Sequence, residues 1–420
     1  MLIQFRFENH RSLRDEQTLS FVASSESEED EPRLLHHPSL AESLLPTVAI
    51  YGANASGKSN VIDALAFMRA AVLDSHRLWE PKGIRNDPFR LGQREKEPSL
   101  YELQFVSADR RYRYGFSLDA ERVSSEWLER WSGTSFESLY SRDGDRFELH
   151  ADFSNDTELL TRLTRPNSLF LSAAAQNNHP ALGELFQHFE GIRVIAPSAF
   201  DATHSLARAT RSVEALFASP RQQSLFPDER GLVQQREAVL ELLRVADLGI
   251  LDIGRDESRR SRSAPSLLFR HRASPPEREA WLPLEGQSRG TLKLLELALP
   301  LLLSLQSGTS LWVDELDASL HPVLASHLLC LFHTPETNPL GAQLVFTTHD
   351  THLLGTLLGQ PPLRRDQVWF TEKSEDGATT LFPLSDFESS EHQNVERGYV
   401  QGRYGAIPFL DELRLTKGSE

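Results

Sequence analysis

The feature that most constrains the fold is a glycine-rich stretch, GANASGKS, at positions 52–59. It matches the pattern G-x-x-x-x-G-K-[ST] at every fixed position. An apolar run at 46–51 predicts a buried strand before it, and apolar residues at helical spacing follow it at 60–68. A Gly/Ser-rich turn that matched by chance would lack these flanks. A strand, a glycine loop and a helix in this order predict a cradle of backbone N–H groups for phosphate oxygens.

The residue types within this loop indicate what each position does. Gly52 and Gly57 permit the tight turn, because glycine tolerates backbone angles that other residues avoid. Lys58 is expected to reach the β- and γ-phosphates of a nucleotide, and the Ser59 hydroxyl is expected to ligate Mg²⁺. The sequence therefore predicts a site for a nucleoside triphosphate and its metal ion.

Length and composition bound the class of protein. A chain of 420 residues predicts two or three units, and 39% hydrophobic with 25% charged residues is ordinary for a soluble globular protein. The longest apolar run, 292–305, is interrupted by charges and a proline, so we expect no membrane span. A single cysteine, Cys330, excludes an intrachain disulfide and favours a reducing cytoplasm.

The charge distribution leaves two interpretations open. A net charge of −16, from 44 basic and 60 acidic residues, argues against a protein that coats DNA generally. Arginines nevertheless concentrate within 255–272, at Arg255, Arg259, Arg260, Arg262, Arg270 and Arg272. A solvated hairpin loop and a contact site for nucleic acid or a partner protein are equally supported by this cluster.

Periodicity along the chain predicts an α/β protein. Alternating residues at 2–7, 18–23, 100–106, 111–118, 121–131 and 137–150 predict strands, most of them in an antiparallel sheet. Helical spacing dominates 156–190, apart from a strand-like run at 168–172, and returns at 232–246. Between them, 191–196 predicts a strand and the polar stretch 197–231 predicts a loose connector or lid.

Two later strands end in residues that complete a nucleotide site. The apolar run 310–313 leads into Asp314, which can hold the Mg²⁺ hydration shell, and Glu315, which can orient or deprotonate water. An ordinary exposed strand end is the alternative. A second buried run, 342–348, leads into His349, whose imidazole can contact a γ-phosphate, although a lone histidine is more often structural.

These motifs, in this order, resemble the ABC-type ATPase family, and more narrowly the branch that contains SMC proteins, RecF and the OLD nucleases. The resemblance implies an α/β fold with an ABC-type P-loop NTPase core, a mixed sheet, an antiparallel β subdomain and a helical insertion. It divides the chain into an N-terminal ATPase lobe at 1–150, a mainly helical insertion ending in a basic hairpin at 151–280, and a C-terminal ATPase lobe at 281–420.

The resemblance also assigns the site residues. Arg11 resembles the N-terminal nucleotide-contact turn, Gln176 the Q-loop, QSRGT at 287–291 the signature motif, VDELD at 313–317 Walker B running into the D-loop, and FTTHD at 346–350 the switch histidine. It implies catalytic roles for Glu315, His349 and Lys58, and Mg²⁺ ligands at Ser59 and Asp314. The implied ATP contacts are Arg11, Gly52, Asn54, Ser56, Gly57, Lys58, Ser59, Asn60, Gln176, Ser288, Gly290 and Asp317.

One departure narrows the subgroup. Transporters carry LSGGQ as their signature, whereas Arg289 here replaces a glycine between Ser288 and Gly290. This disfavours the nucleotide subunit of a transporter and resembles the soluble AAA-family, RloA-like ATPases associated with anti-phage systems. The stretch after His349 is too short for the nuclease domain of OLD proteins, so we expect a nuclease or other effector encoded separately.

A single copy of each motif implies an assembly. In the family, the phosphate loop of one subunit and the signature serine of another enclose ATP, so we expect a homodimer or a higher homo-oligomer. The resemblance thus implies a cytoplasmic ATPase that hydrolyses ATP with Mg²⁺ and acts as a nucleotide-gated dimer switch, which senses or controls a partner effector in anti-phage defence, without membrane attachment. The alternative is a RecF-like repair or recombination ATPase that binds DNA through the 255–272 arginines.

Overall fold

The computed structural model describes residues 1–24, 33–133, 135–150, 155–196, 206–217, 229–246, 249–256, 267–273, 280–357, 359–388 and 394–408. The strands are β1 (Leu2–Glu8), β2 (Gln17–Ser20), β3 (Thr47–Gly52), β4 (Ser99–Ser107), β5 (Arg110–Leu118), β6 (Val123–Ser132), β7 (Ser135–Asp143), β8 (Arg146–Leu149), β9 (Arg193–Ile195), β10 (Ile250–Arg255), β11 (Leu267–His271), β12 (Ala280–Pro283), β13 (Ser310–Val313), β14 (Gln343–Thr347), β15 (Val368–Lys373) and β16 (Thr379–Pro383).

The helices are α1 (Lys58–Asp74), α2 (Asn155–Leu163), α3 (Phe170–Gln176), α4 (Pro180–Gly191), α5 (Leu206–Leu216), α6 (Glu229–Ala246), α7 (Arg289–Ser307), α8 (Pro322–His333) and α9 (Val395–Val400). Short 3₁₀ turns lie at Gln93–Lys96, Leu284–Gly286, Thr351–Leu354, Arg365–Gln367 and Leu384–Asp386. Within the described ranges, every helix is too short or too polar to cross a membrane.

A six-stranded mixed sheet forms the centre of the fold. Its order is β16-β15-β3-β14-β13-β9, and every neighbouring pair is parallel except β15 with β16. The side chains of β3, β13 and β14 are all buried, as expected for a parallel sheet covered on both faces. Because β3, β9, β13 and β14 run in the same direction, their carboxyl ends meet at one edge, where ligands bind in such sheets.

Side chains alternate between the two faces of this sheet. Val48 and Ile50 of β3 join a core with α1 and the antiparallel sheet, whereas Ala49 and Tyr51 join a second core with α7 and α8. The antiparallel sheet has the order β2-β1-β4-β5-β6-β7-β8. The mixed sheet, the antiparallel sheet and the helical parts confirm the predicted fold class.

The stretch predicted as a helical insertion, 151–280, is not separate from the centre of the fold. It supplies β9 to the central sheet, beside β13. Its helices α5 and α6 pack on α7, and β11 pairs with both β10 and β12 in a three-stranded antiparallel sheet. Helix α5 lies within 197–231, where a loose connector was expected; residues 197–205 and 218–228 lie outside the described residues.

The strand predicted at 168–172 is wrong, because α3 begins at Phe170. The Glu126 carboxylate accepts the backbone N–H groups of Phe170 at 2.7 Å and Leu171 at 3.1 Å. A carboxylate at a helix start satisfies N–H groups that have no partner inside the helix, and it complements the helix dipole. This tertiary contact outweighs the local preference of the apolar run for a strand. The other strands and helices named above are confirmed, with shifts of a few residues at their ends.

Candidate nucleotide site

The glycine loop lies at the carboxyl edge of the central sheet, between β3 and α1. Gly57 precedes α1 with φ of 104°, a region that side chains rarely tolerate. A Cβ atom there would also collide with the Thr379 hydroxyl, because the segment that contains Thr379 packs directly against that side of the loop. Ala55, at the tip, has φ of 61°. The strand–loop–helix arrangement predicted from 46–68 is therefore present.

The side chain of Lys58 folds back over the first residues of the glycine loop. Its Nζ donates to the carbonyl oxygens of Gly52 and Ala53, both at 2.9 Å, and its side chain is buried. Burial lowers the pKa of Lys58, while the carboxylates of Asp314 and Glu315 oppose that shift. A buried cation beside a glycine loop at a helix start is suited to phosphate oxygens.

Asp314 connects the loop with the strands beside it. Its N–H donates to the Ile195 carbonyl at 2.8 Å, which fixes the carboxyl end of β13 against that of β9. The Asp314 Oδ1 atom accepts the Ser59 hydroxyl at 3.0 Å and the Thr347 hydroxyl at 2.6 Å. The two predicted metal ligands, Ser59 and Asp314, are thus brought together.

The donors at this point fit Mg²⁺. A hydroxyl and a carboxylate are hard oxygen ligands, and Mg²⁺ in nucleotide sites takes one or two protein groups, with waters and phosphates completing the shell. In the described part of the chain, no group of three or more His, Cys, Asp or Glu side chains could hold a metal ion by itself. The arrangement suits a metal that arrives with a nucleotide.

Glu315 and His349 are exposed at the same edge. Glu315 follows Asp314 with φ of 51°, a left-handed conformation that is uncommon outside glycine. Desolvation and the charge of Lys58 lower the pKa of His349, and the acidic side chains of 314–317 oppose that shift. A neutral imidazole near neutral pH is available as a hydrogen-bond donor or acceptor.

Hydroxyl groups from outside the loop brace it. Ser56 Oγ pairs with Thr371 Oγ1 at 2.6 Å, and Thr379 Oγ1 donates to the Ser56 carbonyl at 2.8 Å. Asn60 Nδ2 donates to Ser12 Oγ at 2.6 Å, and Ser12 Oγ pairs with Thr379 Oγ1 at 2.7 Å. Sequence reasoning missed Thr371 and Thr379, because their only local signal is a position in short strands far along the chain.

Arg11 lies next to this brace, in the turn before Ser12. Its Nε is 3.0 Å from the Asp63 carboxylate on α1 and 3.1 Å from that of Asp87. The buried His10 ring bonds the same Asp63 carboxylate at 3.0 Å. Arg11 is therefore held beside the loop, and its contact with a nucleotide stays a prediction.

The signature turn lies elsewhere. Ser288 caps α7 by accepting the Thr291 N–H at 3.1 Å, and a Cβ on Gly290 would lie 3.0 Å from the Ser319 carbonyl. The turn thus packs against the segment that follows Asp317, whose Oδ1 atom is buried without a hydrogen-bond partner. Among the described residues, no polar contact joins Ser288 to the phosphate loop.

Two other predicted contacts are not brought into the network. Gln176 ends α3 with an exposed side chain, and no polar contact of the described residues joins it to the loop. The strand that borders Asp314 is β9, and residues 197–205 after it lie outside the described residues. Asn54 is exposed on the loop. The roles of Gln176 and Asn54 stay predictions.

Two of the three described arginines of the basic cluster, Arg255 and Arg270 but not Arg272, form ion pairs with acidic side chains among the described residues. Arg255 is 3.2 Å from Glu214, and Arg270 is 3.9 Å from Asp252. Arg259, Arg260 and Arg262 lie outside the described residues. The described part of the cluster is therefore partly neutralised, which does not favour nucleic-acid binding over a structural role.

Comparison with known proteins identifies the domain. Residues 48–355 match a family described as "AAA domain, putative AbiEii toxin, Type IV TA system". The chain belongs to this family. The match to the AAA domain covers well over half of the chain and confirms the predicted AAA-family ATPase domain. It ends before β15 and β16, although both strands belong to the central sheet and brace the loop.

Solved structures that match this chain include three SMC head domains. One is the SmcHead bound to the C-winged helix domain of ScpA, with 14% identity, a TM-score of 0.46, and coverage of 92% of this chain and 99% of that chain. The second, from Thermotoga maritima, has 14% identity, a TM-score of 0.40 and coverage of 92% and 99%. The third, from Pyrococcus furiosus with an extended coiled coil, has 13% identity, a TM-score of 0.37 and coverage of 92% and 97%. No curated protein matches the chain in sequence.

Proposed function

We propose that this AAA-domain protein binds and hydrolyses ATP with Mg²⁺ and acts as a nucleotide-gated homodimer switch that controls a separate effector. The observation that carries the proposal is the hydrogen bond between Ser59 and Asp314 at the carboxyl edge, directly beside Lys58 and Glu315. This arrangement combines a phosphate cradle, oxygen ligands for the metal and a candidate base.

The chemistry is an in-line attack of water on the γ-phosphate. Lys58 and the loop N–H groups balance the phosphate charge, and Glu315 takes the proton of the attacking water. His349 contacts the γ-phosphate from the neighbouring strand end. Bound Mg²⁺, held by Ser59 and Asp314, adds positive charge where negative charge develops.

The separation of the two halves of the site supports a dimer. Ser288 caps α7 and packs near the 317–319 segment rather than on its own phosphate loop. In this proposal, Ser288 and Gly290 of a second copy close over the γ-phosphate. ATP then favours the closed dimer because these bonds exist only in that state, and hydrolysis releases them.

In this proposal, the open or closed state of the dimer controls a partner effector, and the two proteins act together in anti-phage defence. The family description names a toxin of a type IV toxin–antitoxin system, which supports a role beside a toxic or protective activity. The single Cys330 agrees with a cytoplasmic location. The effector is a separately encoded nuclease or toxin that recognises either the open or the closed dimer.

The Glu315→Gln variant tests the switch. We expect it to bind ATP but to lose about a hundredfold or more in turnover, since its amide cannot accept the proton. It should accumulate as an ATP-dependent dimer in size-exclusion chromatography with light scattering.

A second variant supplies the matched control. Glu315→Gln combined with Ser288→Ala keeps the phosphate loop intact but removes the hydroxyl that the second copy contributes. ATP should then bind without trapping the dimer. Wild-type turnover in Glu315→Gln, or equal trapping in the double variant, would contradict the proposal.

A further inference from the structure

We infer that Thr347 is a positioning residue whose single hydroxyl group fixes both Asp314 and Glu315 in the nucleotide site. Thr347 ends β14, two residues before His349, and is fully buried. The inference rests on the proposed function, because it concerns how the metal ligand and the base are held in place.

The hydroxyl of Thr347 makes two bonds in opposite directions. Its Oγ1–H donates to Asp314 Oδ1 at 2.6 Å, and its oxygen accepts the Glu315 backbone N–H at 2.7 Å. A hydroxyl has one proton to donate and two lone pairs to accept, so both bonds can exist together. One atom therefore connects two consecutive carboxylate-bearing residues.

The main chain of the same residue continues this contact. The Thr347 carbonyl accepts the Leu316 N–H at 3.1 Å. Side chain and backbone of Thr347 thus hold two successive N–H groups of the turn that follows β13. Valine at this position would keep the backbone bond and the shape of the side chain, but it would remove both bonds of the hydroxyl.

The conformation of Glu315 explains why the turn needs such an anchor. Its φ of 51° lies in the left-handed region, which a residue with a side chain keeps only where its surroundings enforce that conformation. Thr347 is β-branched and therefore stiff at χ1, so its hydroxyl is a fixed acceptor for that N–H. The same rigidity aims the donated proton at Asp314.

The loss of the hydroxyl has two separable consequences. Asp314 Oδ1 would keep only the Ser59 bond at 3.0 Å and could rotate away from the metal position. Glu315 would lose the acceptor of its N–H, so its backbone, and with it the side chain, would be held less firmly. We therefore expect a weaker affinity of the nucleotide complex for Mg²⁺ together with slower turnover, whereas nucleotide binding without Mg²⁺ stays unchanged.

The test compares Thr347→Val with Thr347→Ser in the full chain. The probe is a fluorescent ATP analogue, titrated with and without Mg²⁺, alongside kcat and KM for ATP. Thr347→Val should need about tenfold more Mg²⁺ for half-saturation and should lose about tenfold or more in kcat, while Mg²⁺-free binding is unchanged. Thr347→Ser, which keeps the hydroxyl, should recover most of both values.

Thr47→Val is the matched control. Thr47 is also fully buried in the central sheet, but it lies at the start of β3, where its hydroxyl bonds His333 at 2.8 Å. We expect it to change thermal stability and to leave Mg²⁺ dependence and kcat unchanged. Equal effects of Thr47→Val and Thr347→Val would overturn the inference.

Two further outcomes keep the inference falsifiable. If Thr347→Ser is as poor as Thr347→Val, then the methyl group and not the hydroxyl matters, and the inference is wrong. Should Thr347→Val fail to fold, Thr347→Ala replaces it, since alanine and serine differ by the hydroxyl alone. A wild-type protein without ATP turnover contradicts the proposed function, while the Mg²⁺ shift in analogue binding still tests Thr347.

Discussion

Glu126 and Asp314 are both buried carboxylates, but they differ in how completely neighbouring groups compensate their charge. Glu126 lies in β6 of the antiparallel sheet, with no exposed surface. Asp314 lies at the carboxyl edge of the central sheet and is 8% exposed. Each accepts hydrogen bonds from two hydroxyl groups, and the difference lies in what else reaches them.

Glu126 is saturated with donors. It accepts the hydroxyls of Tyr114 and Tyr140 at 3.1 and 2.9 Å, in addition to the two N–H groups at the start of α3. The Arg142 guanidinium lies 3.7 Å away, and Arg142 itself donates to the Ser168 carbonyl at 2.7 Å. Every strong bond of this carboxylate is made within the fold, so it serves to fix α3 on the sheet.

Asp314 carries its negative charge with less compensation. Its two hydroxyl bonds both reach Oδ1, and the neighbouring cation, Lys58, bonds carbonyl oxygens of its own loop instead. Burial alone therefore does not distinguish a carboxylate that is available for a ligand from one that is not. The distinguishing property is a charge that neighbouring cations leave unpaired at an accessible edge, where a metal ion can supply the missing compensation.

Glu126→Gln should produce the largest loss of stability. Removing one charge of a buried pair leaves Arg142 uncompensated, which costs about 3–5 kcal/mol in the free energy of unfolding. Urea denaturation at neutral pH measures this loss. ATP turnover per folded molecule should remain near the wild-type value, because Glu126 lies in a different sheet from the phosphate loop.

Glu129→Gln on the same strand is the control for this change. Its partner, Arg113, has a side chain that is 31% exposed, so the pair is screened by water. We expect a loss below about 1 kcal/mol. Similar losses in the two variants would show that burial does not increase the contribution of the Glu126 carboxylate to the free energy of unfolding.

Asp314→Asn should show the reverse pattern. The amide oxygen can still accept the hydroxyls of Ser59 and Thr347, so the free energy of unfolding should change by less than about 1 kcal/mol. Turnover should fall about a hundredfold or more, because the metal loses its charged ligand. Thermal unfolding and a phosphate-release assay measure the two effects. A large loss of stability with normal turnover would reverse the distinction drawn between the two carboxylates.

Much of this site could be predicted because its chemistry is encoded by local order in the sequence. The loop at 52–59 and the strand ends at Asp314 and His349 are contiguous motifs, and parallel strands bring such ends together. The Ser59–Asp314 contact follows from that rule. The turn at 287–291 resembles the signature motif despite Arg289, because serine and glycine keep their spacing around it.

The contacts that were missed depend on pairing across long sequence separations. Thr347, Thr371 and Thr379 are ordinary strand threonines until the fold places their hydroxyls against Asp314 and Ser56. Glu126 did carry a weak signal, since it shares a strand face with Leu128 two residues later. The misassigned strand at 168–172 has the same cause, because the N–H groups at the start of α3 bond to Glu126, which lies in the antiparallel sheet, 44 residues before the first of them in the chain.

A buried histidine, His188, leads to a smaller prediction, which concerns the pH dependence of stability. His188 of α4 is stacked on Phe105, with ring centroids 4.2 Å apart, and its Nε2 atom is buried without a hydrogen-bond partner. Burial lowers the pKa of His188 well below its ordinary value of 6.5. The folded state therefore keeps this ring neutral under conditions in which the unfolded chain binds a proton.

Stability should consequently be fully present above about pH 6.5 and should fall as the pH drops further, since protons favour the unfolded state. His188→Phe keeps a ring against Phe105 but cannot bind a proton. Between about pH 7.5 and about pH 5.5, we expect the wild type to lose about 1 kcal/mol more unfolding free energy than His188→Phe. Urea denaturation at each pH measures the difference. Parallel losses in the two proteins would mean that His188 can take up its proton within the fold, as an exposed histidine does.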